Sequence, residues 1–294
     1  MTLRDLYFND DASAVLPGAQ NALAELRARG STHRYVRHVR SSQAFALNLF
    51  APLNHIARSE LLELLGLGMV SHPDAVAFEW EDELDRLAEA SPCSPHRTQV
   101  DVLIRGTTND GRRVGALIEV KLGEHDFGAC SAYDSNTNPD RTPCRTPGLF
   151  GDAPDKCFQL NNHGRGRRTY DRYLGDVPIS TPSTRATDGG CVVRQGRSQP
   201  MRNLALAHML VSEGELDAAV FALCAPEKHP TIWRRFEEFQ TVFGDTSRVR
   251  TARLPAEVVA AHHPDVGTAL RRRYEPALVS FDAVRSCHAR AART

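Results

Sequence analysis

Residues Thr98–Gly123 constrain this chain more than any other stretch. Two runs rich in β-branched and aliphatic side chains, TQVDVLIRG and VGALIEVKLG, flank a polar segment containing Asn109-Asp110-Gly111. That pattern predicts a β-hairpin. Side chains alternate faces along a strand, so Glu119 and Lys121, two positions apart, point the same way. A three-residue loop with Gly111 left-handed sets a register in which Asp101 lies opposite Glu119. Two carboxylates and an ammonium then share one face of a largely apolar hairpin.

Placing such a cluster beside Val100, Val102, Ile104, Leu117, Ile118 and Val120 costs desolvation energy. A divalent cation offsets the repulsion between the carboxylates, and Mg²⁺ or Mn²⁺ suits oxygen ligands. The lysine is then placed to orient, or help deprotonate, a water near the metal. These are the parts needed to hydrolyse a phosphodiester. The choice of lysine is itself informative. Lys and Arg together number 36, yet only Lys121, Lys156 and Lys228 are lysines. Arginine cannot give up its proton in a protein, and its planar fork does not replace a compact ammonium. The competing explanation is a salt bridge on a solvated strand face, since E-x-K alone is common.

The pattern D-x(17)-E-x-K across a hairpin resembles the PD-(D/E)XK nuclease superfamily, the restriction-endonuclease-like fold. The resemblance implies that Asp101 and Glu119 hold Mg²⁺ and that Lys121 assists the attacking water. The "PD" pair is not intact, because Val100 precedes Asp101. The segments Ser41–Phe50 (SSQAFALNLF) and Gln199–Ala207 (QPMRNLALA) are similar to an uncharacterised bacterial subgroup of restriction-endonuclease-like proteins. The resemblance spans roughly residues 35–255.

A length of 294 residues allows one large domain or two small ones. The net charge of +0 leaves overall charge silent about nucleic acid, so charge distribution carries that argument. No apolar run approaches the roughly 20 residues needed to span a bilayer. The opening MTLRDLYFNDD is acidic and lacks a signal-peptide core, so a cytoplasmic protein is expected. Its seven cysteines are then expected to be thiols or metal ligands rather than disulfides.

Along the chain, an N-terminal segment, 1–40, carries a helical pattern over Ala19–Arg29 and a basic stretch from Arg27 to Arg40 with Tyr35 inside it. A phosphate-binding patch and a solvated face both fit that stretch. The nuclease-like core, 41–262, opens with a helix capped by Ser41 or Ser42. A second helix runs from about Asn54 to Leu65 and stops at Gly66-Leu67-Gly68. Ala75–Trp80 reads as a strand, followed by an acidic helix over Glu81–Ala90; Glu79 and Glu81 fit either a further metal ligand or an acidic helix start favoured by the helix dipole, and the helix start is the commoner case.

Past the hairpin the character changes. An insert at about 123–200 is rich in Gly, Pro, Cys and Arg and poor in apolar residues, so something must tie it down. Cys130, Cys144, Cys157 and Cys191 fall within it; four thiolates suit a [4Fe–4S] cluster or Zn²⁺, although no C-x-x-C pair is present. Arg165, Arg167 and Arg168, interleaved with glycines and followed by Tyr170 and Tyr173, combine cations and stacking rings in a way that fits nucleic acid. A helix over Met201–Leu210 begins near Gln199, Arg202 and Asn203, where backbone N–H groups favour anions; the resemblance implies that polar residues of this helix lie near the scissile phosphate, and Arg202 is the candidate. Strands at Ala218–Cys224 and Arg248–Leu254, helices at Pro230–Phe243 and up to His262, and an Arg-rich tail, 263–294, complete the chain.

The expected architecture is an α/β sandwich with a central mixed sheet and a long Cys/Arg/Gly-rich insert. The expected activity is Mg²⁺-dependent, endonucleolytic hydrolysis of DNA, with RNA open and a homodimer fitting double-strand cleavage. The alternatives are an inactive nuclease-fold protein that binds nucleic acid, and a cysteine-ligated structural metalloprotein.

Overall fold

The computed structural model describes residues 7–90, 97–145, 154–161, 167–180, 190–194, 196–263 and 266–274. Its centre is a six-stranded mixed sheet in the order β1-β3-β4-β5-β6, with β2 also paired to β3. The strands are β1 (Val70–Pro73), β2 (Ala77–Glu81), β3 (Gln99–Thr108), β4 (Arg113–Val120), β5 (Ala218–Ala225) and β6 (Val249–Pro255). The pairings on the β1–β4 side are antiparallel, while β4-β5 and β5-β6 are parallel. A parallel step needs a long crossover, and the residues between β4 and β5 supply one.

Helices cover both faces, which is why β4 and β5 read as near-continuous apolar runs. On one face α1 (Gln20–Ala28), α2 (Ser42–Phe50), α3 (His55–Leu64) and α6 (Ala256–Ala261) pack against Val114, Ala116, Ile118, Val220, Ala222 and Cys224. On the other, α4 (Ser198–Ser212) and α5 (Ile232–Val242) bury Leu117, Ala219, Phe221 and Leu223. Odd and even positions of β5 thus enter different cores, as a period of two requires.

The local signals read from the sequence explain the helix ends. Ser41 caps α2 by accepting the Ala44 N–H at 3.2 Å, and Asn54 caps α3 by accepting the Ala57 N–H at 2.9 Å. Gly66, with φ of +76°, ends α3 while Leu67 N–H returns to the Leu62 carbonyl at 3.1 Å.

Two expectations change. Residues 81–90 do not form a helix; after β2 they run through turns. The reason is local competition by acidic side chains. Asp82 takes the Arg86 backbone N–H at 2.7 Å together with its guanidinium, and Asp85 accepts from the N–H groups of Glu89 and Ala90 at 2.9 and 3.0 Å. The second change is β1, a short edge strand that the sequence pattern did not suggest. Between β4 and α4 the described residues form only short helical pieces, at Ser131–Asp134, Thr142–Arg145, Pro154–Lys156 and Tyr170–Tyr173. The loop 91–96 and the tail from 275 onward lie outside the described residues. No described helix is long and apolar enough to cross a membrane.

Candidate active site

The β3–β4 hairpin has the register its turn dictates. Val102 pairs with Ile118 and Thr107 with Arg113, Thr108 N–H reaches the Arg112 carbonyl at 2.9 Å, and Gly111 has φ of +83°. Continued one step, that register sets Asp101 across from Glu119. The Asp101 carboxylate accepts the Val120 N–H at 2.6 Å. Glu119, fully buried, lies on the face of the sheet that packs under α4. Lys121 Nζ sits 2.8 Å from Glu119 Oε1. The sequence-derived trio of Asp101, Glu119 and Lys121 is therefore one cluster.

Helix α4 supplies the rest of the Glu119 environment. Gln199 and Asn203 are four apart and so share a helix face. Gln199 Nε2 donates to Glu119 Oε1 at 2.7 Å, and Asn203 Nδ2 donates to Oε2 at 2.6 Å. Lys121 in turn donates to Gln199 Oε1 at 3.1 Å. A buried carboxylate with each oxygen fixed this way has one orientation only.

Two further carboxylates close in. Glu124 is bound by Ser42 Oγ at 2.7 Å and by the N–H groups of Leu122 and Gly123 at 3.1 and 3.0 Å. Glu79 is buried, with φ of +47°, a left-handed conformation that costs a non-glycine residue on the order of 1–3 kcal/mol. It accepts a hydrogen bond from Gln43 at 2.8 Å and lies 3.6 Å from His33.

The electrostatics follow from this crowding. Burial, then the charges of Glu119 and Glu79, push the Asp101 carboxyl well above its usual range. Burial and Glu119 also raise Glu79, although His33 and Gln43 oppose the rise. Burial alone would lower Lys121, but Glu119, Asp101 and Glu124 outweigh it and hold the ammonium above its ordinary value. Lys121 and Ser42 overcome the effect of burial on Glu124 and lower it.

The cluster forms the floor of an open cleft of about 810 Å³. Its rim comes from the N-terminal segment: His33, Arg34, Tyr35, His38 and Arg40. There the basic stretch forms turns rather than a helix, and Tyr35 is exposed with the Arg34 guanidinium 4.3 Å above its ring. Gly123 allows this rim to approach, because a Cβ there would stand 3.2 Å from Arg40 Cβ.

The other sequence candidates lie elsewhere. Arg202 points away from Glu119 and approaches Glu89 at 3.9 Å. Arg167 pairs with Asp171 at 3.0 Å, and Arg168 donates to the Gln159 carbonyl at 3.0 Å. Tyr170 and Tyr173 are buried and bonded to Glu89 and Glu213, so they present no stacking rings. Arg165 lies outside the described residues. Cys130, Cys144, Cys157 and Cys191 line a separate, smaller cavity. Sequence reasoning gave no catalytic-site role to Gln199, Asn203 or Glu124; the available signal was two amides at helical spacing in an otherwise apolar helix.

Among the described residues, no three His, Cys, Asp or Glu side chains are gathered as a ready-made cage for one ion. Magnesium does not need one: it is commonly held by one or two carboxylates, with waters and substrate phosphate completing the shell. Asp101 and Glu119 offer an oxygen donor set of that kind.

A family model described as Restriction Endonuclease associating with ARP matches residues 4–275. No curated protein and no solved structure matches the chain.

Proposed function

The chain belongs to the family Restriction Endonuclease associating with ARP, and from that premise we propose that it is a Mg²⁺-dependent nuclease of the PD-(D/E)XK type that cuts DNA endonucleolytically. The observation that carries the reading is the convergence of Asp101, Glu119 and Lys121 on the floor of a cleft whose rim is basic and aromatic.

Asp101 and Glu119 are the residues that would hold the cation. When bound, Mg²⁺ or Mn²⁺ neutralises charge on the phosphoryl oxygens and makes water a better nucleophile. Lys121 is placed to orient the attacking water or to help deprotonate it. Gln199 and Asn203 fix both oxygens of Glu119 and so fix the direction in which it offers its lone pairs. His33, Arg34, His38 and Arg40 at the rim suit the sugar–phosphate backbone, and the exposed Tyr35 ring suits a base or sugar.

Supercoiled plasmid provides the test. With Mg²⁺ or Mn²⁺, wild-type protein is expected to nick or linearise it, and EDTA to stop the reaction. Lys121→Ala is expected to lower cleavage by at least about 100-fold while leaving DNA binding nearly intact. Cleavage by Lys121→Ala at the wild-type rate would sink the assignment. A wild-type protein that binds DNA but fails to cut it with either metal would be an inactive relative. Linear product formed without a nicked intermediate would indicate two copies acting together, as a homodimer.

A further inference from the structure

Four cysteines far apart in sequence come together in the fold. Cys130, Cys144, Cys157 and Cys191 line one small cavity beneath the residues between β4 and α4. All four are buried, and none forms a disulfide. Three short turns and one backbone contact deliver them. Tyr133 N–H bonds to the Cys130 carbonyl at 3.0 Å, Cys144 N–H to Arg141 at 3.1 Å, and Leu160 N–H to Cys157 at 3.1 Å. The Cys191 N–H donates to the Cys144 carbonyl at 3.0 Å and so brings the last of the four beside the others. All five described cysteines are buried, so burial does not set these four apart; what does is that they share one cavity while Cys224 lies inside β5.

We infer that Cys130, Cys144, Cys157 and Cys191 ligate a [4Fe–4S] cluster. The alternative of one zinc ion fits the arrangement less well. Four thiolates on a single zinc stand about 3.8 Å from one another, given Zn–S bonds of about 2.3 Å, and usually come as closely spaced pairs. Here no C-x-x-C pair exists, and no three of these side chains are gathered for one ion. In a cluster each thiolate takes its own iron, so the four sulfurs surround a larger object and can come from four separate turns. Ligation releases one proton from each thiol. The cavity wall suits the result: Met201 and Val193 keep it dry, and Arg194 stands at its edge, stacked 3.9 Å over the Tyr133 ring, to offset the negative charge of the thiolates.

The position gives the cluster a task. Gln159, which touches Cys130 Sγ, has its Nε2 3.5 Å from Ser198 Oγ, the first residue of α4. The next residue is Gln199, which holds both Lys121 and Glu119. The cluster thus ties the turns that carry it to the helix turn that orients the candidate active site.

The full-length protein purified without oxygen from iron-replete cells provides the test. It is expected to be brown and to contain about four iron and four acid-labile sulfide per chain. Cys157→Ser and Cys191→Ser are each expected to lose most of that iron, whereas Cys224→Ser, on the opposite face of the sheet, keeps it. If the first two variants fail to fold, the wild-type iron and sulfide content decides alone. One zinc per chain, or no metal at all, overturns the inference, as does full iron retention in both variants. The outcome is separable from the nuclease reading. Brown protein that cuts no DNA counts against that reading alone, and colourless protein that cuts counts against the cluster alone.

Discussion

Asn203 shows how much rests on single side chains here. It is fully buried, and its amide donates to one oxygen of an equally buried carboxylate. Asn203→Ala leaves Glu119 Oε2 without that charge-assisted bond, so a loss of about 1.5–3 kcal/mol in urea denaturation is expected. Cleavage is expected to fall about 10- to 100-fold, the usual cost of losing a group that orients a metal ligand. Asn203→Asp should be worse on both counts, because it sets a like charge against Glu119. An Asn203→Ala protein with unchanged midpoint and rate would show that Glu119 is oriented by other means. Residues such as Asp101, Glu119 and Lys121 were legible in the sequence because one hairpin with a fixed period of two carries all three. Asn203 was not, because its partner is 84 positions away and is set by the β4–β5 crossover. Arg202, its neighbour, differs by only about 100° around the helix, and a helix buried on nearly every side gives no sequence clue to which polar residue faces the sheet.

At the scale of the element, the hairpin turn decides whether the site exists. Gly111 has φ of +83° and nothing within 4 Å of where a Cβ would stand. Space is therefore no obstacle to a side chain, and the whole penalty of substitution is backbone strain. Gly111→Val is expected to cost about 1–2 kcal/mol, and Gly111→Asn clearly less, because asparagine tolerates the left-handed region. Urea midpoints of the two variants check the order; equal midpoints would mean that the turn relaxes to another form. The elements legible in the sequence were those whose ends are signalled locally: the hairpin, the capped helices α2 and α3, and the apolar strand β5. The acidic stretch 81–90 was misread because Asp82 and Asp85 satisfy backbone N–H groups more closely than a helix dipole could. Edge strand β1 was missed because four residues ending in proline carry too little pattern. Its pairing with β3 is a tertiary outcome.

At the scale of the whole molecule, buried histidines and buried carboxylates give pH dependences of opposite sign. Burial lowers His208 from 6.5 to about 4, with Asp176 opposing and Arg248 reinforcing. Burial likewise lowers His229 from 6.5 to about 4, with His125 reinforcing and Glu124 opposing. His229 Nδ1 also accepts the Ile232 N–H at 3.2 Å, so protonation there removes a bond at the start of α5. Because the folded pKa lies below the unfolded one, the unfolded chain takes up the proton first. Stability from both residues is complete above about pH 6.5 and is lost as the pH falls towards 4. Asp101 and Glu79 run the other way: their raised carboxyls burden the fold at neutral pH and release it as they protonate. Wild-type protein is therefore expected to lose stability between pH 7 and pH 5, by less than the two histidines alone would cause. The double variant His208→Leu/His229→Asn retains an acceptor at the start of α5 and should lose most of that drop. Urea midpoints at the two pH values, taken in EDTA so that no cation masks the carboxylates, provide the check. A double variant that falls as steeply as wild type would place the acid sensitivity in other groups and leave the two buried imidazoles as ordinary packing.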